Sequence, residues 1–358
     1  MWSTRFPPAP PARMLWRITV SGTEAAAWQS LHIHRYEDQD GFLVDGLDPV
    51  LTPLRASGAV EEFFFLRYWQ GGHHIRLRLR TSLKTAQEVA DALAAYLARH
   101  PAGTGFDAEE FGPAQATMAV LEAETTSEVL PPDSVHHATY TPEVEKYGGN
   151  LGVAIAERFF AASSDVALAT LARLPGGSGK RLGAAFSTML HGLCAARLTP
   201  AEMAGFFAHY CVLWSPYVFD RFLADWPELL RVRREPVGRH AATLLAQSHQ
   251  EPADPFGRAV GTAWRELAES ADTVLPAVTL GGSDAPVARR RQILLVSYLH
   301  THNNRLGLIP EQESFLGWLG HHVMSEYAGL PPAADLLDRV RVTRRERLGA
   351  YADLAPTS

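Results

Sequence analysis

Three groups of residues have the types and spacing to do chemistry. The first is His73-His74-Ile75-Arg76-Leu77-Arg78-Leu79-Arg80. A period of two puts Ile75, Leu77 and Leu79 on one face of a strand and His74, Arg76, Arg78 and Arg80 on the other. Residues i and i+2 lie roughly 6.5–7 Å apart, so that face carries a row of guanidinium groups. Each is a fixed fork of donors suited to anions or peptide carbonyls. The competing reading is the solvated face of a half-buried sheet. The second group lies between Ile293 and Arg305. Ile293, Leu294, Leu295, Val296 and Leu299 make an apolar helix, while Ser297, His300 and Asn304 fall at i, i+3 and i+7, with Thr301 and Arg305 beside them. Buried polar groups need partners, so this seam is either an internal network or a pocket wall. The third is Tyr140-Thr141-Pro142-Glu143-Val144-Glu145-Lys146-Tyr147-Gly148-Gly149, a polar, aromatic, turn-rich stretch at the junction of two regions, where pockets tend to form.

Other patterns fail on inspection. Gly176-Gly177-Ser178-Gly179-Lys180-Arg181 suggests a phosphate loop, but the first glycine of the motif falls on Leu174 and Arg181 stands where Ser or Thr must hold magnesium. It reads as a surface loop. Fifteen histidines include the adjacent pairs His73-His74, His136-His137 and His321-His322, whose side chains diverge. No HExxH occurs and no Cys–His spacing fits zinc, so neither a metal nor a cofactor is expected. Cys194 and Cys211 read as two buried thiols.

The elements that must position these groups follow from pattern. Gln29–His34 alternates as a strand, Glu62–Tyr68 is an aromatic-rich strand, and Gly71-Gly72 turns a hairpin into 73–80. Thr85 and Glu88 suggest a capping box ahead of the helical stripe Ala86, Val89, Leu93 and Leu97, and Ala116–Glu124 reads as one more strand. Beyond Gly149, helices are expected over 151–171, 181–197, 200–230, 237–248, 255–271, 287–304 and 311–328. The fold class is therefore α+β: a small antiparallel sheet with flanking helices, followed by a mostly helical region. Residues 1–14 form a Pro-rich arm, 15–330 a single domain (sheet-rich over 15–147, helical over 148–330), and 331–358 a charged C-terminal helix and tail.

Composition narrows the function classes. With 358 residues, 46% hydrophobic and 20% charged, the chain can bury a substantial core. A net charge of −6 argues against nucleic-acid binding over the whole surface, although 30 of its 33 basic residues are arginine. No apolar run is long enough to span a membrane, and prolines interrupt the N-terminus where a signal peptide is apolar. A cytoplasmic protein without membrane or nucleic-acid partners is expected.

Taken together, Phe64-Leu66-Arg67-Tyr68, His74-Ile75-Arg76-Leu77-Arg78, Tyr140…Glu143…Tyr147-Gly148-Gly149 and Ser297-Tyr298-Leu299-His300…Asn304-Arg305-Leu306 resemble the elimination domain of lantibiotic dehydratases, over roughly residues 28–330. The resemblance implies one of two chemistries. The dehydratase domain removes glutamate from glutamylated Ser or Thr of a ribosomal precursor peptide. A stand-alone relative, the pyridine synthase of thiopeptide biosynthesis, joins two dehydroalanines by a formal aza-[4+2] cycloaddition, with loss of water and leader peptide. Eliminating members carry an arginine before the glutamate of the third segment, and here that position is Pro142, which donates nothing.

The favoured reading is thus a macrocyclising pyridine synthase. A stand-alone glutamate-elimination subunit is the alternative, and a non-catalytic leader-peptide-binding module the third. The implied partner is a precursor peptide with an acidic leader and a dehydrated, azole-bearing core; a homodimer stays open. Ser297, Tyr298, His300 and Tyr327 are the expected proton-transfer and hydrogen-bonding residues. Arg67, His74, Arg76, Arg78, Tyr140, Glu143, Asn304 and Arg305 are expected to hold substrate. Leader binding is expected at the basic clusters Arg231, Arg233, Arg234 and Arg239, and Arg289-Arg290-Arg291.

Overall fold

A computed structural model describes residues 26–103, 108–174, 178–247, 254–280, 282 and 284–348. The expected Pro-rich arm and Gly176-Gly177 lie outside these residues, whereas residues 178–181, expected in the same surface loop, open a helix. Strands β1 (Ala27–His34), β2 (Val60–Tyr68), β3 (His74–Thr81) and β4 (Ser134–Ala138) form one antiparallel sheet of order β2-β3-β1-β4. Between β1 and β2 the chain makes α1 (Gln39–Gly41), a π-helical turn (Phe42–Leu47) and α2 (Asp48–Ala56); α3 (Leu83–Arg99) and α4 (Ala108–Glu122) precede β4. The helical part comprises α5 (Val144–Tyr147), α6 (Gly149–Arg173), α7 (Ser178–Ala195), α8 (Pro200–Trp214), a 3-10 turn (Ser215–Tyr217) and α9 (Asp220–Gln247). It continues through α10 (Pro255–Glu269), α11 (Ala271–Ala277), α12 (Val287–Arg305), α13 (Pro310–Tyr327) and α14 (Leu336–Leu348).

Register explains the sheet's two faces. Phe65, Leu77 and Leu31 are cross-strand partners, as are Ile75 and Ile33, so one face is apolar. Helix α3 covers it with Val89, Leu93 and Leu97, and its Gln87 reaches His137 of β4 on that same face at 3.0 Å. The other face pairs Ser30 with Arg78, His32 with Arg76 and His34 with His74, with His136 opposite His32. Here α6 and α12 lie against β2. The outer edge of β2 is closed by side chains: the Phe65 N–H donates to Ser164 Oγ at 3.2 Å. The Arg67 N–H donates to Asn304 Oδ1 at 2.8 Å, and the Arg67 carbonyl accepts from Asn304 Nδ2 at 3.0 Å. The Asn304 amide thus stands in for a neighbouring strand, and the edge has no free ladder groups there to recruit another chain.

One core runs from Leu31 on β1 to Met324 on α13, so sheet and helices share their hydrophobic interior. Two joints between elements depend on the absence of a side chain. Gly148 links α5 to α6 at φ 87°, and a Cβ there would lie 2.4 Å from the Val274 carbonyl oxygen. Gly317 lets α13 lie against α8, where a Cβ would sit 2.5 Å from the Cys211 amide nitrogen.

Several expected elements differ. Residues 116–122 belong to helix α4, because a short apolar run cannot be assigned by periodicity alone. Helix α3 is capped by Ser82, whose extended backbone lets its Oγ accept from the Thr85 N–H at 3.1 Å; Glu88 instead faces Lys84 at 3.7 Å. The expected helix over 200–230 breaks at Pro216, and α9 runs without interruption through Pro236, where a break was expected. Proline removes only one N–H, and on this exposed stretch water can take the carbonyl left over. The C-terminal helix α14 is more than a charged appendage. Leu336 and Val340 join a second cluster with Cys211, Trp226 and Trp318, and the buried Arg344 bonds Asp220 at 3.0 Å.

Candidate functional site

The polar face of the sheet is largely buried. On β3, Arg78 is 8% exposed and His74 2%, Arg76 is partly buried, and Arg80 is exposed, paired with Glu61 at 3.1 Å and Glu62 at 3.3 Å. Arg78 has no carboxylate partner among the described residues. Its guanidinium stands 5.4 Å from the centre of the Tyr140 ring and, among the described residues, bonds only its neighbour's carbonyl, that of Leu77, at 3.3 Å. Burial, then the nearby Arg76, lowers its pKa to about 10. Arg76 lies over the Tyr68 ring at 3.3 Å and donates to His74 Nε2 at 3.3 Å.

Against this row stands a histidine stack. The rings of His32 and His34 each pack on His74 with centroids 4.7 Å apart, and His136 meets His34 edge-on at 5.5 Å. Burial comes first and nearby cations second in lowering His32 to about 3, while burial and then His136 lower His34 to about 4. Burial brings His74 to about 2, against a hydrogen bond to the Gly72 carbonyl. All three are neutral at physiological pH. Among the described residues, no group of His, Cys, Asp or Glu side chains has the arrangement to hold a metal ion.

Helix α12 supplies the opposite wall, but its polar residues do not act as one seam. Arg305 points inward, fully buried, with Nε bonded to Ser164 Oγ at 3.0 Å and Nη1 to Ser163 Oγ at 3.3 Å. It lies 5.0 Å from the Phe160 ring centre and has no carboxylate partner among the described residues; burial lowers its pKa to about 9, against the favourable Tyr147 nearby. Phe160 in turn packs on Phe64 and Tyr147, and Phe64 on Tyr140, so a cluster of aromatic rings separates Arg78 from Arg305. The Tyr140 hydroxyl donates to Glu157 Oε1 at 2.8 Å, and Trp28 Nε1 donates to Glu157 Oε2 at 2.9 Å. Burial, then the Glu157 bond, raises the Tyr140 pKa, so its hydroxyl stays protonated.

His300 faces a different neighbour. Its Nδ1 lies 2.8 Å from Glu313 Oε1 of α13, and its ring stacks on Trp214 with centroids 4.1 Å apart. Glu313 is 0% exposed and also accepts from the Tyr210 hydroxyl and, at 3.1 Å, from Asn303 Nδ2.

The remaining expected residues separate from these. Ser297 Oγ donates to the Ile293 carbonyl of its own helix at 2.8 Å. Tyr298 is buried between rings, 4.3 Å from Phe159. Asn304 is committed to the β2 edge, while Arg67 bonds Asp40 at 2.6 Å and the Arg305 carbonyl at 3.2 Å. Glu143 turns outward to Lys146 at 3.2 Å. Tyr327, half-exposed, lies fourteen residues along α13 from Glu313, about 21 Å at the usual helical rise, so it cannot join His300. It lines a cleft of about 810 Å³ between α9 and α13 with Arg231, Arg234 and Arg239. In that cleft Arg234 faces Glu326 at 3.1 Å, and Arg231 faces Glu228 at 2.6 Å. Arg233 and Arg289 are exposed, whereas Arg290 is buried on the carbonyls of Leu275 and Ala285, both at 2.8 Å, and is no part of a surface patch.

Sequence reasoning missed His32, His34, Glu157 and Glu313. The alternation Ser30-Leu31-His32-Ile33-His34 was the available signal for the first two. For Glu157 it was a lone acid among Val153, Ile155, Ala156 and Phe159 on a buried helix. Nothing in the pattern marks Glu313.

A small four-stranded antiparallel sheet backed by a mostly helical region that shares its core is a fold like that of a lantibiotic dehydratase C-terminal domain. The sequence matches the family described as lantibiotic biosynthesis dehydratase, C-terminal, over residues 28–324, and the chain belongs to that family. Its fold is similar to that of a pyridine synthase from thiomuracin biosynthesis, TbtD, with a TM-score of 0.67 at 19% identity, covering 84% of this chain and 99% of that one. It is also similar to the crystal structure of TsrL, with a TM-score of 0.56 at 21% identity, covering 88% and 99%. No curated protein matches the chain. No helix among the described residues is long and apolar enough to cross a membrane.

Proposed function

We propose that the chain is a thiopeptide pyridine synthase, which joins two dehydroalanines of a ribosomal precursor peptide by a formal aza-[4+2] cycloaddition. One observation carries this reading over glutamate elimination. Pro142 offers no donor and Glu143 pairs with Lys146 at 3.2 Å, so the segment after β4 adds no unpaired cation to the site. Arg78 and Arg305 are left as buried cations without carboxylate partners among the described residues, facing aromatic rings.

Such donors suit neutral amide carbonyls that become more basic as the reaction proceeds. One dehydroalanine must react as its 2-aza-diene, with the preceding amide as an imidic acid. Fixed guanidinium and phenol donors stabilise charge that develops on the carbonyl oxygen. Arg76 and Arg78 take this role in the proposed reaction, together with Tyr140, whose hydroxyl donates to Glu157. His300 is the proton-transfer group. Holding both alkenes of one peptide together is the larger contribution, with effective molarities reaching about 10⁵ M. The cycloadduct then loses the former carbonyl oxygen as water and the leader as a carboxamide, leaving the aromatic pyridine. The acidic leader docks along the α9–α13 cleft, where Tyr327 and the α9 arginines lie.

Mass spectrometry of the purified protein with a dehydrated, azole-bearing precursor tests this. Release of an intact leader carboxamide with the cyclised core is the expected result. Loss of glutamate from a glutamylated precursor overturns the reading in favour of elimination. Binding without any mass change favours a leader-binding module.

A further inference from the structure

We infer that Glu313 is a positioning residue that fixes His300 in one tautomer, with the proton on Nδ1 and a bare Nε2 directed at substrate; the inference rests on the function proposed above. A carboxylate removed from water stays ionised only when donors replace the water. Glu313 has three: His300 Nδ1 at 2.8 Å, Asn303 Nδ2 at 3.1 Å and the Tyr210 hydroxyl. Burial, then Glu313 itself, pushes the Tyr210 pKa far up, so that phenol remains a donor and does not compete for the negative charge. An ionised carboxylate only accepts, and the imidazole nitrogen facing it must therefore carry a hydrogen. Nε2 is then the basic atom, and on a ring that is 26% exposed it is bonded by no side chain or carbonyl among the described residues.

The ring is fixed in a second way, by its stacking on Trp214 at an interplanar angle of 23°. Both supports come from packed helices: Trp214 and Tyr210 from α8, Glu313 from α13, with Gly317 holding those two helices in contact. The same division of labour, in which a third group orients a base, recurs in hydrolytic triads and around metal-bound histidines. Two further titratable groups face the dyad. Glu122 of α4 is within electrostatic reach of His300, and Tyr217 of the 3-10 turn is within reach of Glu313. In the proposed reaction, His300 Nε2 takes the amide N–H proton and returns it to the carbonyl oxygen of the same amide, so the imidazole ends neutral. Amide and imidic acid are tautomers, so atoms and charge balance with no other reactant.

Long-range proton–nitrogen spectra of the ¹⁵N-labelled full chain read the tautomer directly and need no substrate. The expected result is protonated Nδ1 and bare Nε2 throughout the neutral form of His300. Glu313→Gln should mix the tautomers, because a side-chain amide can face Nδ1 either as acceptor or as donor. In turnover, kcat should fall by about a hundredfold with KM for the precursor little changed, and the shape of the kcat–pH profile should change with it. A wild-type His300 protonated on Nε2 overturns the inference, as does a folded Glu313→Gln with unchanged tautomer and profile. Should Glu313→Gln fail to fold, the wild-type spectrum alone decides. The expected tautomer in a protein that releases no leader carboxamide supports the pair and overturns only the cycloaddition.

Discussion

Arg305 is a buried cation bound by two serine hydroxyls and by no carboxylate among the described residues, which costs stability. Replacing it with a residue of similar length and no charge should then leave the melting temperature unchanged or raise it. Turnover should nevertheless fall by about tenfold or more, the loss expected for an electrostatic donor. Calorimetry and a turnover assay on Arg305→Met check both halves; a strongly destabilised variant would make Arg305 a structural residue. Ser297→Ala should behave oppositely to a catalytic change. Its hydroxyl bonds its own helix backbone, so stability should hold within about 1 kcal/mol and turnover should be near wild type. At this scale the sequence was legible where geometry is local. The alternation of 73–80 does place His74, Arg76 and Arg78 on one face. The seam of α12 was not legible, because spacing on a helix cannot say whether a serine bonds outward or back to its own turn, nor that a glutamate thirteen residues on meets His300.

Elements carry the pH dependence. His34 and His74 are almost fully buried on the sheet, with pKa values lowered to about 4 and about 2, against 6.5 in the unfolded chain. The unfolded state therefore binds more protons whenever the pH lies below 6.5, and stability rises with pH across that window. The contribution is complete above 6.5 and is lost as the pH falls toward 4, at about 1.4 kcal/mol per pH unit for each group. Urea unfolding at neutral pH and near pH 5 should differ by roughly 4 kcal/mol from these two histidines; equal midpoints would mean the stack is already solvated. The joint between α5 and α6 gives a second measurement. Gly148→Ala should cost about 2–4 kcal/mol, through left-handed backbone strain and contact with the Val274 carbonyl, read as a lowered melting temperature. The hairpin and most helices were readable from period and turn residues. Helix α4 and the continuity of α9 were not, since tertiary packing overrides short patterns and a single proline.

The whole molecule has a net charge of −6, so the acidic leader of the proposed reaction would have to be attracted locally, by the exposed face of α9. Arg231, Arg234 and Arg239 each have a glutamate partner, which limits the field they project. Leader affinity should fall about three- to tenfold between low and half-molar salt, where the screening length shrinks to a few ångströms. Fluorescence anisotropy of a labelled leader peptide measures this, and a salt-insensitive affinity would point to apolar contact with Leu230, Val323 and Tyr327 instead. The α+β class was readable from composition and order of elements. The sharing of one core from Leu31 to Met324 was not, because nothing in a linear pattern reports which distant faces meet.

The clasp between Asn304 and the backbone of Arg67 joins positions 237 residues apart. The hairpin of β2 and β3 needs only its own turn to form, but its outer edge stays unsatisfied until α12 arrives. Loop-closure entropy must be met before that contact gives anything back, so this edge is completed late in folding. Amide exchange in β2 would then be two-speed. Protons directed toward β3 should be protected early in refolding, and the Arg67 proton only with the last, slowest phase, the one in which Arg305 also reaches its serines.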